Sequence, residues 1–320
     1  MTAPTVDLTS ARVLVTGAHG FLGHHATEAL QAAGARHLLR PTHAELELLD
    51  REAVRKYFEH QRPDVVIHLA AVVGGIGANR RHPGKFFYEN LVMGVELIEA
   101  ARVFDVSKIV TVGTICAYPK FTPVPFREDD LWSGYPEETN APYGIAKKAL
   151  LVMGQAYRAE YGLNAVYLLP VNLYGPRDDF DPSTSHVIPA LIRKMVAARD
   201  AGHAPVEVWG DGSPTREFLH VRDAARAIVL ATERHDGADP VNLGTGREIT
   251  IRDLVLTLAE VVGFKGDIVW NTSQPNGQPR RALSTERARE RFGFEAAIPF
   301  AEGLRETVAW WEREIREGRA

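Results

Sequence analysis

Short apolar runs and longer stretches of helical spacing take turns along the first half of this chain. "RVLVTG" (12–17) is apolar without alternation and closed by glycine, the pattern of a strand buried on both faces. "HHATEALQAAG" (24–34) has helical spacing and ends at a glycine stop. "RHLLR" (36–40) suits a second strand, residues 51–60 a helix, and "PDVVIHLAA" (63–71) another buried strand. In 86–104, Phe86, Phe87, Leu91, Val95, Leu97 and Ile98 recur near helical spacing. "KIVTVG" (108–113) reads as a strand, "YGIAKKALLVMGQAYRAEYG" (143–162) as a helix and "NAVYLLP" (164–170) as a strand. Strands alternating with helices predict an α/β fold: a Rossmann-like, doubly wound parallel sheet with helices on both faces.

The texture changes at Asn172. "NLYGPRDDFDPSTSHVIP" (172–189) is rich in turn formers and reads as a long loop, a frequent place for function. Beyond it, short strands and helices alternate, and a smaller α/β lobe is expected over the carboxyl ends of the sheet. The expected division is 1–171 with 217–247 for the sheet domain, and 172–216 with 248–320 for the smaller lobe.

Bulk properties narrow the function. The chain has 320 residues, 45% hydrophobic and 24% charged, with a formal net charge of −4. That is a globular composition long enough for two lobes. No Lys/Arg block points to nucleic acid or an anionic membrane, and no apolar run is long enough to span a bilayer. The N-terminus lacks a basic patch followed by an apolar segment, so no signal peptide is expected. A single cysteine, Cys116, cannot form an internal disulfide and suits a reducing cytoplasm. No metal-ligand cluster stands out, and no metal is expected.

"TGAHGFLG" (16–23) joins the first strand to the first helix, with Gly17, Gly20 and Gly23 spaced three and three. That spacing permits a tight turn, a close approach to a pyrophosphate, and helix packing on the strand, with the helix N-terminus facing the phosphates. A glycine-rich turn without a ligand is the bland alternative. Its position after a strand and before a helix favours dinucleotide binding. The expected cofactor contacts are Gly17, His19, Gly20, Phe21, Leu22 and Gly23 in the loop and Arg40 after the second strand. Leu69, Ala70 and Ala71 follow the third strand, Tyr143 and Lys147 lie on a helix, and Pro170, Asn172 and Leu173 follow the fifth. NAD binders usually place Asp or Glu at the end of the second strand. Here "LLRPTHAEL" offers Arg40, with His19 and His43 nearby. The lean is to NADP, with NAD open.

Tyr143 and Lys147 are four apart and share a helix face. A lysine cation and a nicotinamide cation would bring a phenol closer to working pH as a proton donor, and the lysine can also bond the nicotinamide ribose. Alone, such a pair is commonly an unremarkable tyrosine beside a lysine. Its company is the glycine loop and "VGTIC" (112–116), where Thr114 could orient a substrate oxygen beside Tyr143.

Together these residues resemble the extended short-chain dehydrogenase/reductases. Longer stretches, "VVGGIGANRRHPGKFFYEN", "CAYPK", "TNAPYGIAKKA", "NLYGPRDDFDPSTSHVIPALIRK" and "WGDGSPTREFLHVRD", resemble the GDP-L-fucose synthase family, over about residues 12–312. The resemblance implies 3,5-epimerisation and 4-keto reduction of a GDP-4-keto-6-deoxy-hexose. It implies Cys116 and His186 as the acid/base pair for epimerisation. A 4-keto group acidifies the hydrogens on carbons 3 and 5, so one group can remove a proton and another return it from the opposite face. It implies a nucleotide-sugar pocket of Asn172, Val187, Leu191, Lys194, Trp209, Arg216 and Arg281, where Trp209 stacks on the base and Arg216 meets the diphosphate. It also implies a homodimer through 86–104 and 143–161. Packing roles for the aliphatics and Trp209, and solvated roles for Lys194 and Arg281, are the structural alternatives.

The chain departs from the family pattern at several points. Thr114 stands where serine is usual, and Ile115 replaces the next serine. Val72 replaces a lysine, His19 and His43 replace arginines, and Asn276 and Ser284 stand where aspartates are expected. A redox-neutral NAD-dependent 4-epimerase of a nucleotide hexose or heptose is the competing enzyme. It would keep its cofactor and need neither Cys116 nor His186. A non-catalytic nucleotide sensor on the same fold is the third reading, and the intact Tyr143/Lys147 pair argues against it.

Overall fold

The apolar runs of the first half lie side by side in a computed structural model that describes residues 6–274, 276 and 278–319. The extreme N-terminus read above for a signal peptide, residues 1–5, lies outside them. The first half runs β1 (Arg12–Thr16), α1 (Phe21–Ala32), β2 (His37–Leu39), α2 (Arg51–Gln61), β3 (Val65–His68), α3 (Ile76–Arg81), α4 (Pro83–Val103), β4 (Lys108–Val112), α5 (Ala141–Tyr161) and β5 (Ala165–Pro170). The second runs β6 (Asn172–Tyr174), α6 (Val187–Asp200), β7 (Val206–Trp209), β8 (Thr215–His220), α7 (Val221–Arg234), β9 (Val241–Leu243), β10 (Glu248–Thr250), α8 (Ile251–Val262), β11 (Ile268–Asn271), α9 (Glu286–Phe292) and α10 (Phe300–Arg316).

Six strands form one parallel sheet in the order β2-β1-β3-β4-β5-β9. Val13, Leu14 and Val15, and all of β3 and β4, are buried, because helices cover both faces. Lys108, His68 and Thr111 are the buried polar residues among them, and Lys108 is the charged one. Its ammonium donates to Thr232 O (2.6 Å) and His235 O (2.9 Å), holding the carbonyl end of α7. The chain turns opposite ways from β1 to β2 and from β1 to β3, so a crevice opens at the carboxyl ends of β1 and β3, where Thr16 lies opposite His68.

A three-stranded sheet, β10-β8-β6, and the parallel pair β11-β7 form the second part. Its core gathers Tyr174, Ile192, Met195, Leu254 and Leu304, with Phe180 stacked on Trp311 at 4.1 Å. Strand β8 belongs to both cores, with Phe218 in the second and Leu219 in the first. Leu283, Ala288, Phe292 and Phe294 also pack in the first core, so the segment after 248 does not stay in the smaller lobe as expected. Glu217, fully buried in β8, fastens this seam by accepting the N–H groups of Gly246 (2.7 Å) and Leu283 (2.6 Å).

Four local features differ from the sequence reading. Helix α1 begins at Phe21 rather than 24, because the end of the glycine loop is already its first turn. Helix α4 begins at Pro83, which tolerates the first turn because it lacks the unpaired N–H. Residues 76–81 form an unforeseen helix, α3. Within the expected loop 172–189, Asn172–Tyr174 pair as β6 with β8. Among the described residues no helix is long and apolar enough to cross a membrane.

Candidate functional site

A cavity of about 1810 Å³ lies over the carboxyl ends of the main sheet. Its floor is the turn after β1. Gly17 has φ +69°, and a Cβ there would sit 2.8 Å from Ala70 N. At Gly23 a Cβ would sit 1.9 Å from Gly17 O, so the turn and the first turn of α1 can close only on glycine. Thr16 Oγ1 meets His68 Nδ1 at 2.9 Å and accepts Ala70 N–H at 3.3 Å, locking the ends of β1 and β3 together. This is a cradle for a pyrophosphate: close backbone, a helix N-terminus and no carboxylate in the turn. Gly17, His19, Gly20, Phe21, Leu22 and Gly23 all line the cavity, as do Leu69, Ala70 and Ala71. Asn90, fully buried on α4, fixes the next stretch of wall by bonding Val72 through both its N–H and its C=O.

The adenosine end is expected beside the segment after β2. Thr42 and His43 line the cavity, but Arg40 does not. Arg40 is exposed, and its carbonyl is engaged by His19 Nε2 at 3.1 Å. Both nearby glutamates are occupied. Glu45 accepts Thr42 N–H (2.7 Å) and its hydroxyl (2.9 Å), and Glu47 accepts Leu49 N–H and pairs with His43 at 3.1 Å.

Beyond β4 the chain forms a 3-10 turn, Ile115–Ala117, capped by Thr114, whose hydroxyl accepts Cys116 N–H at 3.1 Å. Cys116 therefore sits on a turn just past the strand, and its carbonyl packs where a Cβ on Gly144 would be only 2.4 Å away. Glycine at 144 thus lets the first turn of α5 carry Tyr143 up to Thr114 and Cys116. Burial pushes the Tyr143 phenol up, and the neighbouring Cys116 adds to it, while a hydrogen bond with Thr114 opposes both. Lys147, one helical turn on and 2% exposed, is pushed down to about 8 by burial. Pro170, Asn172 and Leu173 complete this wall, with Asn172 Nδ2 donating to Glu217 O at 3.1 Å.

The segment 178–187 also lines the cavity. His186 is the N-cap residue of α6, yet its side chain makes no capping bond and lines the cavity. The imidazole is open to the cavity but ringed by protein. Desolvation pulls it below its usual range, and the Asp179 carboxylate works against that pull. Asp179 also holds the segment together, accepting Asp181 N–H at 2.9 Å and the Thr184 hydroxyl at 2.5 Å. Asp178 lines the same wall with one oxygen bonded by Asp179 N–H (2.8 Å) and the other buried without a partner. Burial raises its carboxyl to about 7. Neither aspartate was expected, though both stand in the stretch that singled out His186.

At the outer end, Val187, Trp209, Arg216 and Arg281 line the cavity. Trp209 is 61% exposed. Phe121, which the sequence reading missed, lines the same cavity with its ring 88% exposed. Arg216 donates to Thr215 O and Gln278 O at 2.7 Å each, and burial together with the Arg281 charge pushes it down to about 10. Two expected contacts fail. Leu191 is 4% exposed in the second core, and Lys194 points to solvent, donating to Glu207 O at 3.2 Å. Neither lines the cavity.

Fold and cavity together define an NAD(P)-dependent epimerase/oxidoreductase of the extended short-chain dehydrogenase/reductase class. The model of the NAD dependent epimerase/dehydratase family matches residues 13–244, and the chain belongs to that family. It is 41% identical to probable GDP-L-fucose synthase 1 of Oryza sativa subsp. japonica, over 95% of this chain and 93% of that one. It is 40% identical to GDP-L-fucose synthase of Escherichia coli K12, over 95% and 97% of the two chains. The crystal structure of a GDP-L-fucose synthetase from Naegleria fowleri bound to NADP superimposes with a TM-score of 0.91 at 27% identity, covering 100% of this chain and 99% of that one.

Proposed function

We propose that this enzyme converts a GDP-4-keto-6-deoxy-hexose by 3,5-epimerisation followed by 4-keto reduction. The observation that supports this most is the meeting of Thr114, Cys116 and Tyr143 past β4, with His186 lining the same cavity. Similarity to GDP-L-fucose synthases over nearly the whole chain agrees with it.

In this reading the 4-keto group makes the hydrogens on carbons 3 and 5 acidic. Cys116 and His186 exchange protons with those carbons from opposite faces, one removing a proton as the other returns one. His186 suits this role because desolvation by the cavity walls favours its neutral imidazole while the Asp179 carboxylate opposes that pull. Tyr143 then donates its proton to the oxygen on carbon 4. A buried phenol holds that proton firmly until the oxygen becomes basic, and Lys147 lies one helical turn further along α5. Thr114 bonds the same oxygen and keeps it in line with Tyr143. A nicotinamide dinucleotide in the cavity would supply the hydride for carbon 4.

The dinucleotide would be held by Gly17, Gly20 and Gly23 at its pyrophosphate, and by Tyr143 and Lys147 at the nicotinamide ribose. NADP is the form proposed. Glu45 is engaged by Thr42 and Glu47 by Leu49 N–H and His43, which leaves neither carboxylate free for a ribose diol, while His19 and His43 line the cavity where a 2′-phosphate would lie. Trp209 stacks on the nucleotide base, and Arg216 and Arg281 take the diphosphate, where fixed guanidinium forks suit phosphate oxygens. The active form is a cytoplasmic homodimer joined through α4 and α5, where Tyr88, Val103, Val152 and Tyr161 are exposed on neighbouring helices. Oxidation of added NADPH by purified enzyme with GDP-4-keto-6-deoxy-mannose tests the reading. A bound cofactor recycled without net oxidation would instead favour the 4-epimerase.

A further inference from the structure

Cys116 has a charged neighbour that its sequence position does not suggest. Arg281, 165 residues further on, directs Nη1 at Cys116 Sγ at 4.0 Å. Both partners are carried by rigid backbone. Cys116 is fixed by its N–H on Thr114 and by the packing of its carbonyl against α5. Arg281 precedes a segment laid alongside Phe126, with Phe126 N–H on Ala282 O (2.8 Å) and Ser284 N–H on Phe126 O (2.9 Å). Leu283 N–H adds a third anchor on buried Glu217 at 2.6 Å. The guanidinium is not neutralised by any ion pair among the described residues, and its Nε is buried without a partner. The neighbouring Arg216 differs, since its Nη1 is committed to two backbone carbonyls.

We propose that Arg281 is the positioning residue of Cys116. Its guanidinium aims the sulfur into the cavity and balances the negative charge the sulfur carries when it acts as a base. A cation within hydrogen-bond reach stabilises a thiolate, and the thiolate is the form that takes a proton. The donors not used on sulfur remain for a diphosphate oxygen, so one side chain serves both the nucleotide and the base. This rests on the assignment of Cys116 as an epimerisation base.

Cys116 is the only cysteine, so thiol alkylation reports on it alone. The test is the iodoacetamide alkylation rate of the substrate-free enzyme at pH 7.5, followed by intact mass. Arg281→Gln is expected to slow it at least about tenfold, the size of a lost charge-assisted hydrogen bond. Arg281→Lys keeps a cation and should stay within about threefold of wild type. In heavy water, Arg281→Gln should also lower deuterium exchange into the substrate at saturating substrate, a loss in kcat that more substrate does not restore. NADPH binding by each variant verifies the fold. An unchanged or faster alkylation rate in Arg281→Gln, with only KM raised, would overturn the proposal and leave Arg281 as a nucleotide contact. Failure of the base assignment itself reads differently, as unaltered exchange in Cys116→Ser.

Discussion

The hydroxyl of Thr114 and the amide of Cys116 meet at 3.1 Å, so one side chain connects the two halves of the proposed chemistry. The oxygen that caps the turn under the thiol is also the one that faces the Tyr143 phenol. Thr114→Val keeps the shape and removes both bonds. Hydride transfer should fall about a hundredfold, as for loss of a preorganised donor at a reacting oxygen. Isotope exchange should fall with it, because the Cys116 turn loses its cap. Thr114→Ser should restore both. Single-turnover NADPH oxidation and exchange, measured on the same preparations, check this.

The turn after β1 gives a prediction independent of the sugar. Gly23→Ala puts a Cβ into Gly17 O, and backbone has nowhere to yield there. NADPH binding, followed by fluorescence, should weaken at least about a hundredfold, since the helix N-terminus can no longer reach the pyrophosphate.

Cofactor choice turns on the segment after β2. His43→Glu removes the imidazole that pairs with Glu47 and puts a further carboxylate in its place, with Glu45 already engaged by Thr42. The ratio of kcat/KM for NADPH over NADH should drop about tenfold or more, because a carboxylate repels a 2′-phosphate and accepts a ribose hydroxyl.

Asp178 makes stability depend on pH in a defined direction. Its folded value, about 7, lies above the ordinary 3.8 of a free carboxyl. The native state therefore binds the proton more tightly than the unfolded chain. Its contribution is fully present below pH 4 and is lost as pH rises toward 7. At about 1.4 kcal/mol per pK unit, the loss is at most about 4 kcal/mol. Asp178→Asn should gain on wild type between pH 4 and 7 and hold a constant lead above. Urea denaturation across that range measures the difference.

Much of this was legible in the sequence, for identifiable reasons. The run Val13–Val15 has one good solution, a doubly covered strand, and Gly17 and Gly23 report a steric need that only glycine meets. Tyr143 and Lys147 fall on one helix face wherever that helix packs. What escaped depends on tertiary neighbours. Val187, Leu191 and Lys194 share a face of α6, yet along it they pass from cavity wall to buried core to solvent. Helical spacing carries no information about that depth. Helix α3 stays unassigned, with Gly77 inside it and Gly74 and Gly75 just before it. It is stabilised from outside, by the Asn79 side chain on Gly74 O at 2.8 Å and by Gly75 N–H on Thr184 O at 3.1 Å. Arg40 looked like a cofactor contact because it ends a strand, but the chain turns at Pro41 and brings Thr42 and His43 to the cavity instead.

The central claim is that one cavity both epimerises and reduces. It is tested most directly by turning over GDP-4-keto-6-deoxy-mannose with NADPH in deuterium oxide and weighing the product. The account predicts deuterium at carbons 3 and 5, one NADPH oxidised per product, loss of the label but not of all reduction in Cys116→Ser, and loss of reduction in Tyr143→Phe. A reduced product without deuterium at either carbon, or conversion that oxidises no NADPH, would contradict it.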